Sequence, residues 1–107
     1  MENRVFLGNA FSLQMLDLKR QKQVIITPVS SDEIAHADFE SVVGHADTAA
    51  VLTDMLAVPV VCNRTSVRLQ TGDILYVAQV TGGRLPEGAT RLPEGFSLSF
   101  LRVELAE

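Results

Sequence analysis

The chain has 107 residues, 47% of them hydrophobic and 21% charged, with a formal net charge of −4 at pH 7. That length supports one domain with a real core but not two, and the acidic balance argues against sustained binding to long nucleic acid, which needs a broad basic surface. Cys62 stands alone, which excludes an intrachain disulfide and a cysteine-rich zinc site. No apolar run approaches membrane-spanning length and no secretion signal is visible, so the expectation is a cytoplasmic protein with no membrane partner.

Residues 4–8 read as a first strand, with Val5-Phe6-Leu7 at its centre and a break at Gly8-Asn9. A short helical segment over residues 12–17 follows, and Asn9 and Ser12 are both favoured N-cap residues. A strand-to-helix turn of this kind exposes free backbone N–H groups and the positive end of a helix dipole, which favour an anion. The alternative is a capped turn that simply places Phe11, Leu13 and Leu16 in the core. Lys19-Arg20-Gln21-Lys22 then reads as a solvated basic connector. Gln23 to Val29 is rich in β-branched residues and predicts a second strand, stopped by Pro28.

Ser30 or Ser31 caps a predicted helix whose first turn is acidic through Asp32 and Glu33. That helix is expected to carry Ile34, Ala37 and Phe39 and to end near Val43-Gly44. A second helix starts close to His45-Ala46-Asp47-Thr48 and places Val51, Leu52, Met55 and Leu56 on one buried face, ending at Pro59. Ser66 to Gln70 alternates polar and apolar residues, and the turn Thr71-Gly72-Asp73 leads into Ile74 to Val80. The pattern predicts a hairpin whose second arm is apolar enough to be central in a sheet. Gly82 to Gly88 breaks that strand, and Ser97 to Leu105 is a final alternating strand. Arg84-Leu85-Pro86-Glu87-Gly88 recurs as Arg91-Leu92-Pro93-Glu94-Gly95, and Pro with Gly marks both copies as loop. The order predicts a single-domain α/β (α+β) fold, a mixed and mainly five-stranded sheet flanked by helices.

Only His36 and His45 are histidines, the side chain suited to proton transfer near neutrality. His36, in Ala35-His36-Ala37-Asp38, falls on the exposed side of a helix. His45 follows Gly44 at a helix N-terminus, where it either caps the helix or projects to act on a ligand. Arg84 and Glu87 lie in a Gly-flanked loop after the most apolar strand, a place where ligand sites gather. Arg84 can brace a phosphate with paired donors, and Glu87 can move a proton or orient a hydroxyl. The competing reading is a surface ion pair in a tight turn. Gly82-Gly83 favours function by allowing close backbone approach. No cluster of acids and histidines has metal-ligand spacing, and no Walker loop, dinucleotide fingerprint or Gly-x-Ser-x-Gly elbow occurs. Any chemistry is therefore expected to need neither metal nor cofactor.

Three elements occur in order: a strand running into Asn9-Ala10-Phe11-Ser12-x-x-Met15-Leu16, Gly44-His45 before the second helix, and Arg84-Leu85-x-Glu87-Gly88 after a central strand. In this combination the chain resembles the viral ring nucleases, type III anti-CRISPR proteins of archaeal viruses and phages with bacterial relatives. The resemblance spans essentially the whole chain. It implies a homodimer that binds cyclic tetra-adenylate across its two-fold axis and cleaves it without metal. It further implies His45 as the general acid for the leaving 5′ oxygen, Glu87 as the group positioning the attacking 2′-hydroxyl, and Arg84 as the brace for the pentavalent phosphorus. Asn9, Ala10, Phe11, Ser12 and Gln79 would hold the ligand. Two features depart from the family pattern: Gly82-Gly83 lengthens the loop after Gln79 by one residue, and the second Arg-Leu-Pro-Glu-Gly stands where many members have a further helix. A non-catalytic binder of cyclic oligonucleotides, or a protein-interaction domain, are the other classes these residues allow.

Overall fold

The computed structural model describes residues 3–106. Five strands form one mixed sheet in the order β2-β5-β4-β1-β3. They are β1 (Val5–Gly8), β2 (Val24–Pro28), β3 (Glu40–Ser41), β4 (Ile74–Thr81) and β5 (Ser97–Leu105), joined by two helices, α1 (Ser31–Ala35) and α2 (Ala46–Leu56), and one 3-10 turn at Leu13–Met15. The expected α+β sheet is therefore present. β1 pairs in parallel with both β3 and β4, whereas β5 runs antiparallel to β4 and to the edge strand β2. Leu75 to Ala78 are all buried, as the unbroken apolar run of β4 requires of a central strand.

The two faces of the sheet are covered differently. Leu7, Tyr76 and Ala78 face the helical layer, where they pack with Ile34, Val43, Ala49, Leu52, Leu56 and Val60. Phe6, Leu75, Val77, Val103 and Leu105 face the other way and pack with Leu16, Val42 and Leu69. Phe11, Met15 and Val67 adjoin this second cluster, so irregular chain, not helix, closes that side.

Several local expectations change, among them the helical segment expected over residues 12–17, which is only the 3-10 turn at Leu13–Met15. The helix opened by Ser30 stops after Ala35 rather than continuing to Val43. Ser30 does cap it, accepting a hydrogen bond from the Glu33 amide at 3.2 Å. The following residues instead pair Glu40 and Ser41 with Phe6 and Leu7, because the open edge of β1 offers β-branched and aromatic residues a better partner than helix continuation. Ser66 to Gln70 lies in no strand. Its alternation reflects one buried side: Leu69 is 3% exposed, and its amide bonds to the Met15 carbonyl at 2.7 Å. The Thr71-Gly72-Asp73 turn delivers the chain to β1 as a parallel neighbour, so there is no 66–80 hairpin. In α2, Met55 is 43% exposed and Thr48 and Ala49 take the inner face with Leu52 and Leu56. The helix ends at Ala57, in the left-handed conformation at φ 57°, before Pro59 is reached.

Two polar clusters fix the sheet to its surroundings. Asp73, 3% exposed, accepts hydrogen bonds from the Arg4 amide (3.1 Å), Arg4 Nη2 (2.7 Å) and the Gln70 amide (2.9 Å). On the helical face, Tyr76 Oη donates to Glu33 at 2.9 Å and Arg102 Nη1 donates to the same oxygen at 2.5 Å. The Tyr76 hydrogen bond lowers the Glu33 carboxyl from its ordinary range despite some desolvation, with Arg102 adding to it. Burial and the Glu33 contact push the Tyr76 phenol up.

Candidate functional site

The carboxyl ends of β1, β3 and β4 lie at one end of the sheet because these strands are parallel. Each runs directly into a segment that carries candidate residues. Asn9 follows Gly8 at the end of β1, His45 lies shortly beyond Ser41 at the end of β3, and Arg84 lies shortly beyond Thr81 at the end of β4. Loops at the carboxyl ends of parallel strands are the usual place for a site in such sheets, since the strands hold the loops and the core constrains them little.

His45 and Arg84 meet at one small cavity of about 190 Å³, which is also lined by Asp47, Thr48, Val80, Gly83 and Leu85. His45 occupies the N-cap position of α2 with an extended backbone, but its side chain makes no capping hydrogen bond. The capping alternative is therefore not realised, and the exposed imidazole borders the cavity. The first intrahelical bond of α2 runs from the Ala49 amide to the His45 carbonyl at 3.0 Å. The amides of the preceding turn lack intrahelical partners and carry the positive end of the helix dipole. With the Arg84 guanidinium, the cavity combines donors suited to an anionic group.

The loop between β4 and β5 spans residues 82–96, and its tandem pentapeptides fold into two turns of the same kind. The Ala89 amide bonds to the Pro86 carbonyl and the Phe96 amide to the Pro93 carbonyl, each at 3.1 Å. Gly88 and Gly95 stand at φ 79° and 87°, the left-handed position that such turns reserve for glycine. Glu87 is exposed in the first turn and is outside the cavity lining. Arg84 and Glu87 form no ion pair with each other among the described residues. Gly82 serves a purpose other than the one expected. A Cβ there would lie 2.7 Å from the Gly95 carbonyl oxygen, so the close approach it permits is between the two arms of the loop at its neck.

The remaining expected residues fall elsewhere. Gln79 is exposed in β4 opposite Ser99, and strand alternation puts it on the face of Leu75 and Val77, away from α2. Phe11 adjoins the core cluster on that same face. Ser12 accepts a hydrogen bond from the Gln14 amide at 3.2 Å, capping the single 3-10 turn. It also lines a broad, open hollow of about 840 Å³ bounded by residues 12–16, Leu18 and 65–68. Asn9 and Ala10 directly follow the end of β1 and line neither cavity. The structure thus brings His45 and Arg84 together, leaves Glu87 exposed in the same loop but outside the cavity lining, and places Ser12 and Gln79 on the far side of the sheet.

Asp47 is the contributor that sequence reasoning passed over as an ordinary helix acid. It lines the cavity, and its Oδ1 accepts a hydrogen bond from the Gly88 amide at 3.0 Å. Its only sequence signal is its place in the first helical turn, two residues after His45. Among the described residues no three His, Cys, Asp or Glu side chains converge as a metal-ligand set, and no helix is long and apolar enough to cross a membrane.

The sequence profile of a family described as STIV B116-like matches residues 5–98. Among solved structures, B116 of Sulfolobus turreted icosahedral virus superposes with a TM-score of 0.75 at 21% identity, covering 95% of this chain and 99% of that one. At that identity the likeness is one of fold. No curated protein matches the chain.

Proposed function

The chain belongs to the STIV B116-like family, and from that premise we propose that it is a metal-independent ring nuclease acting on cyclic tetra-adenylate. The observation that carries this reading is the meeting of an uncapped, exposed His45 with Arg84 around one small cavity. In the proposed reaction a ribose 2′-hydroxyl attacks the adjacent phosphorus in line. The O2′–P bond forms, the P–O5′ bond breaks, and a 2′,3′-cyclic phosphate and a free 5′-hydroxyl result. Glu87 orients and deprotonates the 2′-hydroxyl, Arg84 stabilises the charge on the pentavalent phosphorus, and His45 gives a proton to the leaving 5′ oxygen. Proton transfer and charge stabilisation by these side chains need no metal or organic cofactor. The setting would be the cytoplasm of a bacterial or infected cell, where cleavage would silence type III CRISPR signalling.

A volume of about 190 Å³ is smaller than pockets that enclose a drug-sized ligand, about 300–1,000 Å³. It suits one phosphodiester with its ribose, not a four-nucleotide ring. A homodimer would present two such half-sites to the two-fold axis contained in the ring. Asn9 and Ala10, which follow the end of β1, would hold a further part of the ligand, whereas Phe11, Ser12 and Gln79 lie on the opposite face of the sheet and are given no part in it. One observation favours a second reading, a non-catalytic binder of the same ring: Glu87 stands outside the cavity lining.

Incubation of the purified protein with cyclic and linear tetra-adenylate in EDTA separates these readings. The enzyme reading expects ring opening by the wild type and a loss of about 10²–10⁴-fold in His45→Ala, the usual contribution of a positioned acid. Tight binding without product selects the binder. An intact ring with no binding, or full activity in His45→Ala, rejects the catalytic assignment.

A further inference from the structure

We propose that Asp47 is a positioning residue whose carboxylate latches the Arg84–Gly88 turn onto the first turn of α2. It thereby sets Arg84 at the cavity beside His45. The inference rests on the phosphodiester-cleaving reading of the site and adds to it the part that holds the loop in place.

A loop as long as residues 82–96, with no regular structure, opens readily unless something ties it down. Its neck is closed by Gly82 against Gly95 and by Thr81 Oγ1, which donates to the Ser97 carbonyl at 3.2 Å. Neither contact controls the first turn, which lies farther out along the loop. The Gly88 amide is available because the turn closes through the Ala89 amide, leaving Gly88 to find a partner elsewhere. It finds Asp47 Oδ1 at 3.0 Å, across 41 positions of sequence. The second pentapeptide forms the same turn, but among the described residues no side chain takes the Gly95 amide in this way. Two copies of one string thus have different anchors: the second packs into the neck, and the first is tied to the helix that presents His45. Since Arg84 is four residues before the latched amide, releasing Gly88 frees Arg84 from the cavity wall.

Asp47 also sits where an acid complements the helix dipole, so its charge and its acceptor oxygen must be tested apart. Asp47→Asn keeps an oxygen at the latch and removes the charge, while Asp47→Ala removes both. Amide hydrogen exchange along residues 82–96 and ring-cleavage kinetics are to be measured on the intact protein for all three forms. The latch expects Gly88 to exchange about tenfold faster in Asp47→Ala, equivalent to about 1.4 kcal/mol, with α2 and β4 amides unchanged. It expects kcat/KM for cyclic tetra-adenylate to fall in parallel, and both effects to be largely reversed in Asp47→Asn. Unchanged Gly88 exchange in Asp47→Ala, or an Asn variant as loose as the Ala variant, overturns the proposal. A wild type that leaves the ring intact, with Gly88 released only in Asp47→Ala, overturns the nuclease reading and leaves the latch standing.

Discussion

Replacing Asp73 by alanine should cost about 3 kcal/mol, a large share of the roughly 5–15 kcal/mol by which a domain of this size is stable. The carboxylate is 3% exposed and lies at the entry to β4, opposite Arg4 at the entry to β1. The Ile74 amide in turn bonds to the Arg4 carbonyl at 2.9 Å, so this cluster starts the parallel pairing of Val5 with Ile74. Alanine leaves the amides of Arg4 and Gln70 without their acceptor, each such loss costing about 1–3 kcal/mol when water cannot replace it. The Arg4 side chain is 46% exposed and keeps its bond to the Arg68 carbonyl. Its charge can therefore rehydrate, and the full cost of a broken buried pair, about 3–5 kcal/mol, is not reached. Urea unfolding followed by circular dichroism should show the midpoint falling with little change in slope. Thermal unfolding should shift down by about 12–20 °C.

Acid should narrow this difference. Burial pushes the Asp73 carboxyl up, but hydrogen bonds from Arg4 and Gln70 and the charge of Arg4 outweigh it, holding it below its ordinary 3.8. A carboxyl lowered in the folded state stabilises at pH above its unfolded value, and that contribution disappears as pH falls through the folded value. The gap between wild type and Asp73→Ala should therefore be full near neutrality and narrower at strongly acidic pH, by the part that the lowered carboxyl contributes. A neutral-pH loss under about 1 kcal/mol would show that the β1–β4 register does not depend on this carboxylate.

Two further outcomes probe the loop and its arginine. Gly82→Ala introduces a Cβ 2.7 Å from the Gly95 oxygen at φ 111°, so the neck should open at a cost of about 1–3 kcal/mol; an unchanged melting temperature with unchanged exchange at Thr81 and Ser97 would deny the clash. Arg84→Lys keeps the charge but loses the planar fork, and ring cleavage should fall by about tenfold or more with stability unchanged, whereas wild-type rates would leave Arg84 as a simple point charge.

The elements read most reliably from sequence were those whose local preference agreed with their packing. β1, β4, β5 and α2 fall close to their expected places because apolar runs or helical spacing coincide with burial. Residues 37–43 misled because a neighbouring strand edge decided their conformation, and no local pattern reveals such an edge. Residues 66–70 alternate like a strand, yet the buried side packs beneath the sheet without pairing in it. His45 and Arg84 were legible as separate candidates, His45 after Gly44 at a helix start and Arg84 after Gly82-Gly83 at the end of the most apolar strand. Their meeting was implied by the family resemblance but not by local pattern, because it depends on three strands running the same way. Asp47 was hidden for a simpler reason: its partner is a backbone amide, which leaves no signature in side-chain identity.

The two copies of Arg-Leu-Pro-Glu-Gly are offset by seven residues, with Thr90 and Ser97 completing the units. Slippage or recombination in the gene could therefore remove or add a whole unit while rejoining the chain in phase. Because each unit closes its own turn, such events would change the reach of the loop in discrete steps and leave the β4–β5 ladder beneath it intact. Loop length at this site is in that sense a digital variable: genes that carry this repeat should differ in it by whole turns, and the copy that gains or loses contact with α2 would change the site without disturbing the fold.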